Sequence, residues 1–313
     1  MRLFTTNDYP AVLAVHNASW PSYPITLEQL RMHDQLARQH PEASFQRYVV
    51  EHNGKMIAFG HYDQPPRFYE PGRFRINIFV APQHQRRGVG TSLYQRIVKE
   101  LRELHGQTGQ TVWTKIREDM LNSVQFVRKY DFYEELRIWE SRLEITTFDS
   151  KPYAKLNLAL KAQKIEIKTL QELASDPQRD QKLYDLTKEV GQDLPPTEHW
   201  TPPSYDIFKQ DLSARSPESY FVALCEDKYI GLSYLTGRPE GQYCATGLTG
   251  IKRAYRRQGI ALALKLRGIA YAKQQGYATI RTNVDSSNQA SLAMNERLGF
   301  VKQPAWIVFA KEI

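Results

Sequence analysis

Six residues, Gln85-Arg86-Arg87-Gly88-Val89-Gly90, return in the second half of the chain as Arg256-Arg257-Gln258-Gly259-Ile260-Ala261. Each copy lies between an extended apolar run and an amphipathic stretch. Arginines beside a glycine at a strand-to-helix junction do one kind of chemistry well, which is to hold an anion. The first N–H groups of a helix have no partner inside it, and the helix dipole is positive at that end. Glycine lets a ligand approach that backbone without meeting a Cβ. A pyrophosphate suits such a point. Neither copy is a triphosphate P-loop, because no Gly-Lys-Ser/Thr closes it, and neither has the Gly-x-Gly-x-x-Gly of a dinucleotide-binding turn.

The elements that position the two loops are legible on either side of them. In the first half a short strand at 2–4 precedes helices near 9–17 and 27–38, the second opened by Thr26 as N-cap. Extended runs follow at 45–51, 56–62 and 73–80, the first two joined by Asn53-Gly54, a hairpin signal. Beyond the loop, Leu93, Ile97, Val98, Leu101 and Leu104 keep helical spacing. A strand at 111–116, a helix near 121–129 and an extended stretch at 132–145 complete the half. The second half repeats the order: strand 165–168, helices 181–190 and 205–212, strands 220–225, 229–234 and 246–251, the second loop and its helix, strand 279–284, helix 289–298, and closing strands in 300–311. We therefore expect domains at 1–146 and 164–313 joined by a packed linker, 147–163. The alternation predicts a mixed α/β (α+β) fold, each domain a mixed sheet with helices on both faces.

Composition bounds the function. The chain has 313 residues, 41 % hydrophobic and 24 % charged, the balance of an ordinary globular protein with room for two cores. No window is apolar enough for a membrane span, and the first residues lack a signal-peptide core, so a cytoplasmic location is expected. Cys225 and Cys244 are the only cysteines. With no Cys/His cluster, neither a disulfide framework nor a metal site is expected. The net charge of +8 asks for an anionic partner, and much of it stands beside the glycine loops, at Arg73, Arg75, Arg86 and Arg87 and at Lys252, Arg253, Arg256 and Arg257. That placement points to a phosphorylated cofactor; neither nucleic acid nor a membrane is expected as a partner.

The pattern Gln/Arg-x-x-Gly-x-Gly/Ala after the fourth strand resembles the coenzyme A loop of the GNAT N-acetyltransferase superfamily. The element order matches that fold in both halves, so the chain resembles a tandem GNAT protein with two acyl-CoA N-acyltransferase folds, each sheet mostly antiparallel. The resemblance implies acetyl-CoA as cofactor, bound by main chain at Ile78, Phe79 and Val80 and by Gln85, Arg86, Arg87, Gly88, Val89, Gly90 and Thr91. In the second half it implies Leu248, Thr249, Ile251, Arg256, Arg257, Gln258, Gly259, Ile260, Ala261 and Asn288. Downstream, Asn288 to Phe300 matches the family's Asn…Tyr…Leu-Gly-Phe pattern, except that Asn295 stands at the tyrosine. In the first half Val127 holds that position, and Tyr130-Asp131-Phe132 replaces Leu-Gly-Phe.

That tyrosine commonly protonates the departing thiolate. Coenzyme A is a fair leaving group, its thiol pKa being about 8.5, so water or Ser291 can replace the phenol. An amine acceptor has a pKa of about 10 and must be neutral to attack, which calls for a base. Candidates are His16, His61, Asp63 and Glu118 in the first half and Glu198, His199 and Asp285 in the second. Trp20, Tyr23, Tyr62, Phe68 and Tyr69 are expected to border the acceptor cleft. The resulting expectation is transfer of an acetyl group from acetyl-CoA to a primary amine, of a small molecule or a peptide, by a monomer or homodimer in which one domain alone may suffice for catalysis. The alternative is a non-catalytic coenzyme A-binding protein with a structural or regulatory role.

Overall fold

The computed structural model describes residues 1–38, 43–65, 69–105, 109–194, 202–237 and 243–313. They form two compact units that do not follow the sequence repeat. One comprises residues 1–116, 120–135 and 307–313, and the other 117–119 and 136–306. The expected split at 146/164 differs from this at both chain segments that close a sheet. Leu136 onward leaves the first half, and the last seven residues join it. No membrane-length apolar helix occurs among the described residues.

The N-terminal unit contains β1 (Arg2–Leu3), α1 (Tyr9–Ser19), α2 (Leu27–Ala37), β2 (Phe45–His52), β3 (Lys55–Asp63), β4 (Arg73–Val80), α3 (Val89–His105), β5 (Thr111–Arg117) and α4 (Leu121–Lys129). Its strands run β1-β2-β3-β4-β5, antiparallel except for the parallel pair β4–β5. Local chemistry sets the boundaries. Thr26 Oγ1 accepts from Gln29 N–H (3.2 Å) while Gln29 Oε1 accepts from Thr26 N–H (2.9 Å), a reciprocal cap that starts α2. Asn53 and Gly54 both take positive φ, 50° and 72°, the turn whose twist suits a two-residue hairpin. On α3, Leu93, Ile97 and Leu101 are fully buried against Phe74, Ile76 and Val112.

The final strand, β13 (Trp306–Glu312), flanks β5 and delivers Ile307 and Phe309 to this same core. The cause is the apolar edge that β5 would otherwise leave uncovered. Phe309→Ala is therefore expected to destabilise the N-terminal unit by about 3–5 kcal/mol, since the ring is 2 % exposed. Urea unfolding checks it; a loss under about 1 kcal/mol would remove Phe309 from that core.

The C-terminal unit contains β6 (Tyr133–Glu144, from Leu136 on), α5 (Leu156–Ala162), β7 (Ile165–Thr169), α6 (Arg179–Gly191), α7 (Tyr205–Ser213), β8 (Tyr220–Cys225), β9 (Lys228–Gly237), β10 (Tyr243–Ile251), α8 (Ile260–Gln274), β11 (Thr279–Asp285), α9 (Gln289–Arg297) and β12 (Val301–Lys302). Its sheet runs β6-β11-β10-β9-β8-β7, again antiparallel apart from β10–β11. The segment expected as a linker is part of this unit, with Leu160 buried among Ile165, Phe221, Ile260 and Leu264. The extended stretch expected at 132–145 is observed as one strand, β6.

Candidate functional site

The parallel pair β4–β5 is held at only three positions, Arg73↔Thr111 to Arg75↔Trp113, and the strands then part. On its other edge β4 stays paired with β3 to the end, and Ala81 N–H donates to Ile57 C=O at 2.9 Å. Antiparallel ladders alternate, so the main-chain groups of Ile76, Ile78 and Val80 face away from β3, into the opening. A cleft of about 440 Å³ occupies it, walled by Asn77, Ile78, Tyr94, Phe126 and Phe132 and ending at Arg86 and Gly88. Of the three strand residues expected to hold a ligand by main chain, Ile78 and Val80 turn theirs toward the cleft. Phe79 pairs with β3 and lends its ring instead.

The loop that closes the cleft has the same backbone as its repeat. Arg86 and Arg257 take φ of 60° and 65°, and Gly88 and Gly259 take 83° and 82°. Gln85 Nε2 donates to Val80 C=O (3.0 Å) as Arg256 Nε does to Ile251 C=O (3.1 Å), so the first side chain of each loop ties it to the preceding strand. Charge separates them. Arg86 and Arg87 are exposed and make no ion pair or side-chain hydrogen bond among the described residues. Around the second loop Arg253 and Arg256 both bind Asp193 and Lys252 meets Glu189 at 2.9 Å, so that Arg257, the counterpart of Arg86, is left as its one unpaired arginine among the described residues. Space separates them too. A Cβ on Gly88 would meet nothing within 4 Å, whereas one on Gly259 would stand 2.8 Å from Leu156 Cδ1. The first loop is an open, unneutralised cradle that fits a diphosphate; the N–H groups of Val89, Gly90 and Thr91 open α3 beside it, and Thr91 Oγ1 accepts from Tyr130 O–H (3.1 Å).

On the face of the N-terminal sheet covered by α1 and α2 lie the expected base candidates. His61 is buried, with Asn77 Nδ2 donating to its Nε2 at 3.2 Å and its Nδ1 without a partner. It stands behind Asn77, not on the cleft wall. Burial, with the charges of Arg47, His33 and Arg75, holds its pKa well below the usual histidine value, so it is neutral. Asp63 is held by Arg75 Nε at 2.8 Å. His16 lies against Phe79 and Trp20, ring centroids 4.8 and 5.8 Å away, both on the cleft wall. Burial lowers its pKa, opposed by the hydrogen bond with Asn17. Among the expected aromatics Trp20 lines the cleft, while Tyr62 is core, its O–H donating to Glu100. Glu118 is tied to Arg137 and accepts from Ala305 N–H at 2.7 Å.

In the C-terminal unit β10 and β11 likewise pair at three positions, Tyr243↔Thr279 to Ala245↔Arg281, and part. A β-bulge between Thr246 and Thr249 places Gly247 and Leu248 opposite Tyr234. Leu248 packs against the α6–α7 core, Thr249 Oγ1 shares a hydrogen bond with Ser233 (2.8 Å), and Ile251 packs with Ile260 and Ala261. Asn288 Oδ1 accepts from Ser291 N–H at 3.1 Å, capping α9. Asp285 accepts from Ser287 N–H at 2.7 Å in the turn before that cap. Asn295 is buried and accepts from Lys265 Nζ at 2.9 Å. Glu198, His199 and Phe68 lie outside the described residues. No group of three possible metal ligands occurs among those described.

Four site residues escape reading by pattern: Ser19, Asn77 and Tyr94 on the first cleft, and Lys265 in the second unit. Their signal was present as polarity on apolar stripes. Asn77 interrupts Ile76–Val80, and Lys265 interrupts the buried stripe Ala263, Leu264, Gly268 and Ile269 of α8.

Comparison with known proteins agrees with this geometry. The profile described as "Acetyltransferase (GNAT) family" matches residues 12–132 and 181–300. A mycothiol acetyltransferase of Rhodococcus erythropolis is 23 % identical over 274 residues, covering 85 % of each chain. The fold is shared with a tandem GNAT protein from the clavulanic acid biosynthesis pathway, at 15 % identity and a TM-score of 0.73, over 99 % of this chain and 97 % of that one. It is shared as well with a GCN5-related N-acetyltransferase from Sphaerobacter thermophilus, at 17 % identity and a TM-score of 0.72, over 99 % and 94 %.

Proposed function

Because the chain belongs to the acetyltransferase (GNAT) family, we propose that it transfers an acetyl group from acetyl-CoA to a primary amine by direct attack in a ternary complex, with the coenzyme held in the N-terminal cleft. The observation that carries this reading is the open cleft ending at the unpaired Arg86 and an uncovered glycine, Gly88. Acetyl-CoA supplies the activated acyl group. Arg86, Arg87 and the first N–H groups of α3 hold its diphosphate, and the main-chain edge at Ile78 with Val80 N–H holds the arm, the Val80 carbonyl already accepting from Gln85 and Ser19. Tyr94, whose phenol is pushed up to about 12 by burial, keeps its proton at neutral pH on the cleft wall.

We assign the acceptor's base to His16, which lies one ring behind the cleft wall against Trp20 and Phe79 and would reach the amine through water. Its Nδ1 faces Asn17 Oδ1 at 3.0 Å, so the proton sits on Nδ1 and Nε2 is free to accept. A base with a lowered pKa works above that pKa, so kcat should rise with pH below about 6.5 and reach a plateau earlier than an ordinary histidine would allow. His16→Ala is expected to lower kcat on the order of 100-fold; an unchanged pH profile and rate would exclude His16.

A thiol-release assay with acetyl-CoA tests the function, using a panel of small primary amines, cysteinyl and amino-sugar amines among them, and peptide N-termini. The second reading, a coenzyme-binding protein without turnover, is favoured by Val127 and Asn295 at the tyrosine positions. Coenzyme binding with no thiol release for any amine would decide for it.

A further inference from the structure

In the C-terminal unit a lysine is buried on α8 with no carboxylate at ion-pair distance among the described residues. Lys265 is 8 % exposed, and its Nζ has one hydrogen-bond partner, Asn295 Oδ1. An ammonium has three N–H donors, so two go unused. Asn295 is 2 % exposed, and its Nδ2 has no partner either. Donors of both side chains, one of them charged, are thus buried beyond the single acceptor, Asn295 Oδ1, that serves them. Such groups are costly to bury unless something pairs them.

The internal repeat says what that buried pair is. Matching the two loops and the two downstream helices places Lys265 where Tyr94 stands and Asn295 where Val127 stands, with Phe300 in the place of Phe132. Tyr94, Val127 and Phe132 all line the cleft of the N-terminal unit. By that correspondence Lys265 and Asn295 belong at the equivalent position in the C-terminal unit, where β10 and β11 stop pairing beyond Ala245 and Arg281. A ring edge or a methyl group would fill that wall; here it carries a cation and an amide.

We propose that Lys265, positioned by Asn295, is the proton donor to the departing coenzyme A sulfur in the C-terminal unit, replacing the missing tyrosine. This rests on the acetyl-transfer reading above. As the acceptor nitrogen forms its bond to the acetyl carbon, the C–S bond breaks with its electron pair on sulfur, and Lys265 Nζ gives sulfur a proton. The proton lost by the attacking amine passes to solvent, from which Lys265 is recharged. Burial alone pushes Lys265 down to about 8, close to the thiol it would protonate, a match that favours transfer near neutral pH. Phe300, 5.4 Å from Nζ, and Asn295 are neutral, so no facing charge competes with the sulfur.

The test uses the full chain with the first loop blocked by Gly88→Trp, leaving the second site, and coenzyme A itself as the probe. The ionisation of the bound thiol is followed by its thiolate ultraviolet absorbance. In Gly88→Trp the bound thiol is expected to ionise at least about one pH unit below its free value near 8.5, and in Gly88→Trp/Lys265→Met at the free value. Methionine replaces a buried charge with an apolar chain of similar length, and thermal melting checks that the variant folds. Residual acetyl transfer by Gly88→Trp/Lys265→Met is expected to fall on the order of 100-fold in kcat relative to Gly88→Trp with KM nearly unchanged, and Asn295→Tyr added to the double variant to restore part of it. An identical thiol pKa with and without Lys265, or no coenzyme binding to Gly88→Trp, overturns the proposal. If the thiol shift appears but the wild-type chain transfers acetyl to no amine, the transfer reading fails while the contact between Lys265 and sulfur stands.

Discussion

Gly88→Trp is expected to weaken coenzyme A binding at the proposed N-terminal site by at least about 100-fold and, with the second loop as the other proposed site, to lower the stoichiometry from two to one per chain. The indole would project from the point where an added Cβ meets nothing within 4 Å, into the space between the free N–H groups of α3 and the two unpaired arginines. Each charge-assisted hydrogen bond lost there contributes about 1.5–3 kcal/mol, so losing two accounts for the expected change. The φ of 83° adds strain of about 1–2 kcal/mol to a loop that is exposed, which the unit tolerates. Isothermal titration with coenzyme A gives both affinity and stoichiometry. Gly259→Trp is expected to remove the other site, meeting Leu156 at once. Unaltered binding in both variants would mean that the glycine loops are not the coenzyme site.

Asp34→Ala lowers the stability of the N-terminal unit by about 3–5 kcal/mol, on the order of 10 °C in Tm. Asp34 and Arg47 are 2 % and 1 % exposed and are joined by two hydrogen bonds of 2.7 Å, with Tyr9 O–H donating to the same carboxylate at 3.0 Å. Removing the carboxylate leaves a guanidinium buried among Phe4, Phe45 and Phe59 with its charge unmatched. Replacing both partners, as Asp34→Leu/Arg47→Met, is expected to cost far less, because no charge is stranded. A double mutant no more stable than Asp34→Ala would show that the pair is not coupled. The pair also has a pH signature. Burial pushes the Asp34 carboxyl up, but hydrogen bonds from His33 and Arg47 outweigh it and leave the pKa below its usual value. The associated stability is complete above the unfolded pKa of about 3.9 and is lost as pH falls through the lower folded value, so Asp34→Ala should remove this part of the acid transition.

Much of the site was readable because it is local. The glycine loops have one backbone conformation because Arg-x-Gly at a strand-to-helix junction specifies it within six residues. Thr26 and Asn53-Gly54 behaved likewise, each acting within four residues. The failures share the opposite property. Nothing near Ile307–Ile313 shows that it serves the core beside β5, since that depends on an edge formed far earlier in the chain. His61 reads as a base by residue type, yet Asn77 stands between it and the cleft, a relation set by strand pairing.

The sequence by itself determined the two matching glycine loops, the order of elements around them and the family to which both halves belong, because these follow from spacing and short-range backbone geometry. Only the tertiary structure decided that the loops are unequal. Arg86 and Arg87 stay unpaired, whereas Asp193, some 60 residues from Arg253 and Arg256, takes up those two arginines and leaves Arg257 unpaired, and Lys265 reaches Asn295 across 30 residues. Charge and burial are settled by what packs nearby in space, and chain separation carries no record of that until the sheet has formed.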